Sequence, residues 1–580
     1  MHIMSLRNSL GVSALALTIA VGATTAAQAA GDLVRIATVP AGAEVTGLST
    51  NALGELFMNA QHPGKKNAYK EGGKPALIGY IAGFDSRTYK GNGMSIPAVS
   101  DQVHVADGNY EIFAKAGDKL GSGQLFGGVY NTKGELMYVS NAPDFNGFVP
   151  LGANKAYLYT AWEGAGRDGA SGVSRLLLNR TNGVWKSDLT KSKMLDLSSI
   201  DGGFVMCSGL VTPWGTPLMA EEYFYYGTEV WNHPANHDDD RRPGYKGGND
   251  VSYIKPVNMT EYLGKMTNPY RYGYMIEANN AAAASDPDLV KHYVTGRLSH
   301  ETAAIMPDMK TVYMSDDDSG AYVGKKYNTA SGGVLFKFVA DVKGDLSAGT
   351  LYAAKLKQDA GTDPHKTGFD VTWVMLGHSN NATVAGWISD YDNVKVSDYV
   401  EGQSSYVSNT DVNNWAEGRT GKDLNGDGKT GSYKDDRVAF LESRKAAAAL
   451  GATNEWDKLE GVTSVGNMVY LGISAISYPM DKTWGHLDWA TGKKDAANVA
   501  AIGLDREDCG GTYVATTGDD FNITRLDPHV IGKTVEGKRC DPNLPANPDN
   551  ILAMADGSLM IGEDAGAKKH ALDMLWMKRP

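Results

Sequence analysis

Only three cysteines occur in 580 residues: Cys207, Cys509 and Cys540. A chain so poor in cysteine is no disulfide scaffold, and in an oxidising compartment one of the three must be left over. Positive charge is also in deficit, with 55 Lys and Arg against 67 Asp and Glu and a net charge of −12. Such a chain gains nothing from a phosphate backbone, so no nucleic-acid binding is expected. Past the N-terminal segment no stretch approaches the ~20 apolar residues that a spanning helix needs, so no membrane span is expected there. Helical periodicity is sparse as well. Arg437–Leu450 (RVAFLESRKAAAAL), followed by Gly451, is the clearest helix.

What is present points to β structure. Apolar residues make up 42% and charged residues 21%, which supports a large core and excludes wholesale disorder. Gly is abundant at 69, and Tyr at 29 outnumbers Phe at 13. Many glycines with many β-favouring aromatics suggest short strands joined by tight turns.

The first residues read as an export signal. An apolar run, Leu10–Val21, precedes the small-residue pattern Ala27-Gln28-Ala29, with cleavage expected before Ala30. No twin arginine is present, so a Sec-type route to the periplasm or the medium is expected. Residues 1–29 are then signal and 30–580 a single domain. Cys509 and Cys540 lie in a Gly-, Asp- and Pro-rich stretch and form the natural pair. A bond there would stabilise by roughly 2–4 kcal/mol. Cys207 is left as either a small buried residue or a metal-bound thiolate.

A short signature recurs along the chain: a polar residue or Gly, then an apolar–aromatic–apolar core. It occurs at Glu55–Met58, Gly134–Val139, Lys155–Tyr159, Gly215–Ala220, Lys310–Met314, Gly349–Ala353, Asn467–Leu471 and Gly557–Ile561. Each instance reads as a turn-flanked strand. Many such strands in one long chain predict an all-β protein. A β-propeller with large loop and helical insertions is favoured, at residues 225–265 and 380–436, with a multi-sheet sandwich as the alternative.

Three of these strands run into acid: Glu221-Glu222, Asp316-Asp317-Asp318 and Glu563-Asp564. Inner strands of a propeller converge on its channel, and converging carboxylates repel unless cations lie between them. Hard oxygen ligands suit calcium, magnesium or manganese. Separately, Asp423, Asn425 and Asp427 open an EF-hand-like loop, read as a structural calcium loop. Its twelfth position is Lys434, so Asp435 or Asp436 would supply the missing carboxylate. The run Asp238–Arg242 reads as solvated surface.

The segment from Cys207 to Glu222 (CSGLVTPWGTPLMAEE) resembles the signature of the PhoX family of alkaline phosphatases. In the same order, Asn268–Glu277, Gly296–Ala303, Val312–Asp317, Gly349–Lys355, Asp457–Glu460 and Asn547–Asn550 resemble further family segments. The resemblance implies a six-bladed propeller whose channel holds two ferric ions (Fe3+), bridged by oxide and a cysteine thiolate, with calcium (Ca2+) alongside. It makes Cys207 the bridging ligand and Glu301 and Asp549 iron-site carboxylates. Glu221, Glu222, Asp317 and Glu460 become iron or calcium ligands, and His300 points away. Three departures stand out. Tyr223 replaces a common Asn, Lys458 stands where a phosphate-contacting Arg is usual, and the signal is not of the Tat type. Lys keeps the charge and loses the bidentate fork.

The implied activity is hydrolysis of small phosphate esters by a secreted, monomeric phosphomonoesterase, with Lys458 clamping a phosphoryl oxygen. A phosphate monoester is a dianion, and an acidic protein binds it through cations. A non-catalytic propeller that binds metal, phosphate or a surface partner is the alternative. A calcium-only propeller hydrolase, such as a lactonase or phytase, is a third reading.

Overall fold

The computed structural model describes residues 32–580, apart from 165–168, 223–227, 229–230, 238–255, 318–331, 484–485, 488–493, 496–500 and 538. The export signal, Tyr223, Asp318, the Asp238–Arg242 run and much of the 225–265 insertion fall outside these residues.

The chain is mostly β. Every instance of the recurring signature lies on or leads into a strand, from Leu56–Gln61 to Leu559–Glu563. The Arg437–Leu450 helix is corrected: it is two short helices, Arg437–Leu441 and Ser443–Ala449, broken at Glu442. The break has a tertiary cause. The Glu442 carboxylate accepts from the Tyr270 hydroxyl, and the Arg444 guanidinium turns onto Asp316.

Among the described residues the strand pairing repeats in units of four antiparallel strands. The first strands of these units are Glu44–Thr50, Pro143–Gly152, Met206–Val211, His300–Ile305, Leu459–Val465 and Pro548–Ala553. Each of these six inner strands contacts the next, and Pro548–Ala553 contacts Glu44–Thr50. The last unit takes its outer strand from the opposite end of the chain, Leu33–Thr38, paired with Met574–Lys578. The fourth and fifth units join through Phe369–Asn380 into one nine-stranded sheet.

Six apolar clusters sit between successive units. Adjacent residues of one strand feed different clusters. Phe57 packs with Leu158 and Trp185 of the second unit, while Leu56 and Met58 pack with Met560 and Leu575 of the last. Strands buried on both faces must be apolar at successive positions, which is why the signature is a continuous run and not an alternation. The helices Asn381–Ser389 and Asn409–Thr420 cover the largest cluster from the 380–436 segment.

Candidate metal centre

Each inner strand after the first enters the sheet through a bulge, and the bulged residue is the one that carries chemistry. The register slips between Met206 and Gly209, His300 and Ala303, Leu459 and Val462, and Pro548 and Ile551. Cys207, Glu301, Glu460 and Asp549 lie in those slips, and Asp144 lies in the matching slip of the second unit. A bulge re-aims one side chain out of the alternating pattern. Five strands from distant parts of the sequence thus deliver a thiol and four carboxylates to one place. Lys458 and Asn547, two residues ahead of Glu460 and Asp549, hold positive φ of 55° and 46°, and Val205 ahead of Cys207 holds 47°. Non-glycine residues adopt this conformation at a cost, and such strain collects at functional sites.

The acid pairs at the strand ends divide by the two-residue period of a strand. The first acid of each pair turns away and is anchored. Glu221 accepts from the backbone N–H groups of Phe204, Gly273 and Tyr274 and from Lys291 Nζ at 2.8 Å. Asp316 accepts from Ser299 N, Val334 N and Arg444. Glu563 accepts from Ala546 N, Met574 N and Trp576 Nε1 and lies 3.0 Å from His570 Nδ1. The second acids, Glu222 and Asp317, face the inner-strand ligands.

Three groups of possible ligand atoms result: Asp144, Glu163 and Cys207; Cys207, Glu222 and Glu301; and Glu301, Glu460 and Asp549. Within each group the atoms lie within 4.8 Å of one another. Cys207 belongs to two groups and Glu301 to two. Cys207 Sγ lies 3.0 Å from Glu301 Oε1 and 3.9 Å from Glu163 Oε1. Lys458 Nζ lies 2.9 Å from Asp317 Oδ2 and also pairs with Glu460.

Of the residues singled out from sequence, the fold brings Cys207, Glu222, Glu301, Asp317, Glu460, Asp549 and Lys458 together. It takes Glu221 to Lys291 instead. His300 is buried and bonds the Gly296 carbonyl oxygen. Asp144 and Glu163 were missed. Glu163 had a legible signal, because the strand Lys155–Trp162 also runs into acid. Asp144 had none, since a lone Asp in Ala-Pro-Asp-Phe reads as a turn.

Burial dominates the electrostatics. Desolvation, then the Asp144 charge, pushes the Glu163 carboxyl up to about 8. Desolvation, then Asp317, pushes Glu460 up to about 8. Glu222, Glu301 and Asp549 are also raised well above the carboxylate range by burial and by one another. Burial and the surrounding acids raise the Cys207 thiol. Burial pulls the Lys458 ammonium down, but Asp317 and Glu460 outweigh it and hold it well above its usual range.

These residues fit multivalent cations. Asp317 Oδ1 and Asp549 Oδ1 are buried and accept no hydrogen bond, leaving acceptors aimed at the cluster. Carboxylates suit calcium and ferric iron, and the thiolate selects a softer ion than calcium.

The Asp423 loop lies apart and exposed. Asp423 Oδ1 and Oδ2 accept from Gly426 N and Gly428 N, and Asn425 accepts from Asp427 N. Asp435 is bound to Arg437, and Asp436 accepts from Trp415 Nε1, so neither turns to the loop. Glu417 does so instead, accepting from Leu424 N and Gly431 N. Cys509 and Cys540 are disulfide-bonded, and Cys207 is free and buried.

A mostly β chain that gathers a buried thiol and seven carboxylates on converging strands is a candidate multi-metal protein. The profile of the family described as "Alkaline phosphatase PhoX" matches residues 186–577, and the chain belongs to that family. No curated protein matches it. Among solved structures, a "glucose dehydrogenase" is similar at 8% identity and TM-score 0.34, covering 94% of this chain and 98% of the other. A hemagglutinin-neuraminidase of Parainfluenza Virus 5 is similar at 8% identity and TM-score 0.23, covering 61% and 84%. No helix among the described residues is long and apolar enough to cross a membrane.

Proposed function

We propose that the protein is an exported alkaline phosphatase hydrolysing phosphate monoesters at an iron and calcium centre, on one six-bladed β-propeller formed by residues 30–580. The ring of contacts among the inner strands, with a core cluster between each pair of units, supports the propeller. The disulfide supports export. Family membership supports the reaction. The single observation that carries the site is the sharing of Cys207 and Glu301 between adjacent ligand groups, as bridging ligands would be.

Bound cations would neutralise the phosphate dianion and acidify the attacking water. Asp144, Glu163, Cys207, Glu222, Glu301, Asp317, Glu460 and Asp549 would hold them. Glu221 would be a positioning residue: with Lys291 it ties the end of its strand to the next and so places Glu222. The Lys458 side chain is 36% exposed while its partners Asp317 and Glu460 are buried, so it reaches from cluster to solvent. Its ammonium can donate to a phosphoryl oxygen by turning from one carboxylate. Ser474 Oγ donates to Glu460 and holds that carboxylate in place at 2.9 Å. The Asp423 loop is proposed as a separate structural calcium site.

Release of phosphate from a chromogenic monoester, with and without chelator, tests the reaction, and metal analysis of the purified protein tests the centre. No turnover by metal-replete protein would favour a non-catalytic binding propeller. Activity with calcium alone and no bound iron would favour a calcium-only hydrolase.

A further inference from the structure

A cavity of about 460 Å³ reaches the cluster from the side away from Lys458. All six inner strands start at the cluster and run away from it. The cavity follows them, from Glu301 and Asp549 at its inner end to Ala52, Pro150 and Pro213, exposed at its outer end. Between lie neutral polar side chains, including Asn146, Ser208, Thr302 and Asn550. Among the described residues its wall holds no Lys, Arg or His, and its only charges are the two carboxylates at the bottom. Asp549 Oδ1 at that inner end has no hydrogen-bond partner.

The two approaches to the cluster therefore differ in sign. On one side the Lys458 ammonium stands over Asp317 and Glu460, attracting anions and repelling cations. On the other an uncharged, low-dielectric tube ends in negative charge, an arrangement that focuses the field and draws cations inward. Hydroxyl and amide oxygens along the wall can replace part of a cation's hydration as it moves. We propose that this cavity is the entry and exit path for the cluster's metal cations, leaving the Lys458 face to the phosphate ester. The inference rests on the metal reading of the cluster.

Ser464 lies at the outer end of an inner strand, lines the cavity, and makes one side-chain bond, to the Ile305 carbonyl oxygen at 3.3 Å. The experiment follows Ca2+ uptake by metal-free protein, and Ca2+ release to excess fluorescent chelator, in stopped flow. The kinetic phase abolished by Asp549→Asn is taken as the cluster's. Ser464→Trp should slow both rates of that phase by the same factor, tenfold or more, with affinity unchanged, because a narrowed path raises one barrier for both directions. Ser464→Lys should slow uptake about threefold to tenfold relative to Ser464→Gln at low salt. That gap should close at ~0.5 M salt, where the Debye length falls to about 4 Å. Equal rates for the Lys, Gln and wild-type proteins overturn the path. So does a change in affinity without a matched change in both rates. If Asp549→Asn abolishes no phase, Ca2+ does not reach the carboxylate at the cavity's inner end and the path is overturned, while metal analysis of the purified protein decides the metal reading separately.

Discussion

Cys207 Sγ lies 3.0 Å from Glu301 Oε1, although 94 residues separate the two in sequence. Both side chains are buried, both occupy bulges of inner strands, and the thiol donates to the carboxylate. With both ionised, a thiolate and a carboxylate so close repel in a low-dielectric site, so the pair holds either a proton or a cation.

Replacing Cys207 by Ser should abolish phosphatase activity and lower bound iron while the fold survives. Ferric thiolate absorbs in the visible, so the wild-type protein should be coloured and the variant bleached. The control, Cys509→Ser, should keep colour and activity and lose roughly 2–4 kcal/mol of stability. Full iron and full activity in Cys207→Ser would remove Cys207 from the centre.

Glu221 and Glu222 are adjacent, and their variants should fail differently. Glu222→Gln should lose metal with little change in the stability of metal-free protein. Glu221→Gln leaves the buried Lys291 ammonium without its carboxylate and should cost about 3–5 kcal/mol. Its metal content, in protein that remains folded, should fall less than that of Glu222→Gln. Metal analysis and thermal melts of the two variants decide this, and the reverse pattern would place Glu221 in the centre.

Lys458→Met should reduce kcat/KM for phosphate esters by about 10- to 100-fold, the equivalent of a charge-assisted hydrogen bond of ~1.5–3 kcal/mol. Lys458→Arg should recover most of it. Steady-state kinetics with iron content measured in parallel separates a lost clamp from a lost cluster. An unchanged kcat/KM in Lys458→Met would remove the residue from substrate binding.

Metal-free protein should lose stability as pH rises. Burial pushes Glu163 and Glu460 up to about 8 in the folded state, and Glu222, Glu301 and Asp549 are raised too, above unfolded values of about 4.5 for Glu and 3.8 for Asp. A raised carboxyl binds its proton more tightly when folded. Its stabilising effect is full below pH 4.5 and is lost as pH rises through the folded value. Melts in chelator should therefore fall between about pH 5 and 8.5, and added Ca2+ should offset the fall. A melting temperature that rises across this window would contradict the buried cluster.

Much of the β content was legible because strands within the units, packed between neighbouring sheets, are covered on both faces, so each appears as a compact apolar run between turns. Leu56, Phe57 and Met58 are the case in point, feeding two different core clusters from consecutive positions. The helix at Arg437–Leu450 misled because its apolar periodicity is genuine, while the break at Glu442 depends on Tyr270 and Asp316, more than 120 residues away. Glu163 could have been found by the rule that exposed Glu222 and Asp317, whereas Asp144 could not.

The sequence by itself determined the strand-rich class and the family, because these rest on local patterning and on a contiguous motif from Cys207 to Glu222 with shorter segments in order behind it. Tertiary structure alone decided which acid of each pair faces the cluster. Alternation along a strand sends Glu221, Asp316 and Glu563 toward backbone N–H groups and cations of the neighbouring elements, and turns Glu222 and Asp317 inward. It alone decided that Asp144 and Glu163 join Cys207, since bulge position and inter-strand register are set by pairing partners distant in the chain.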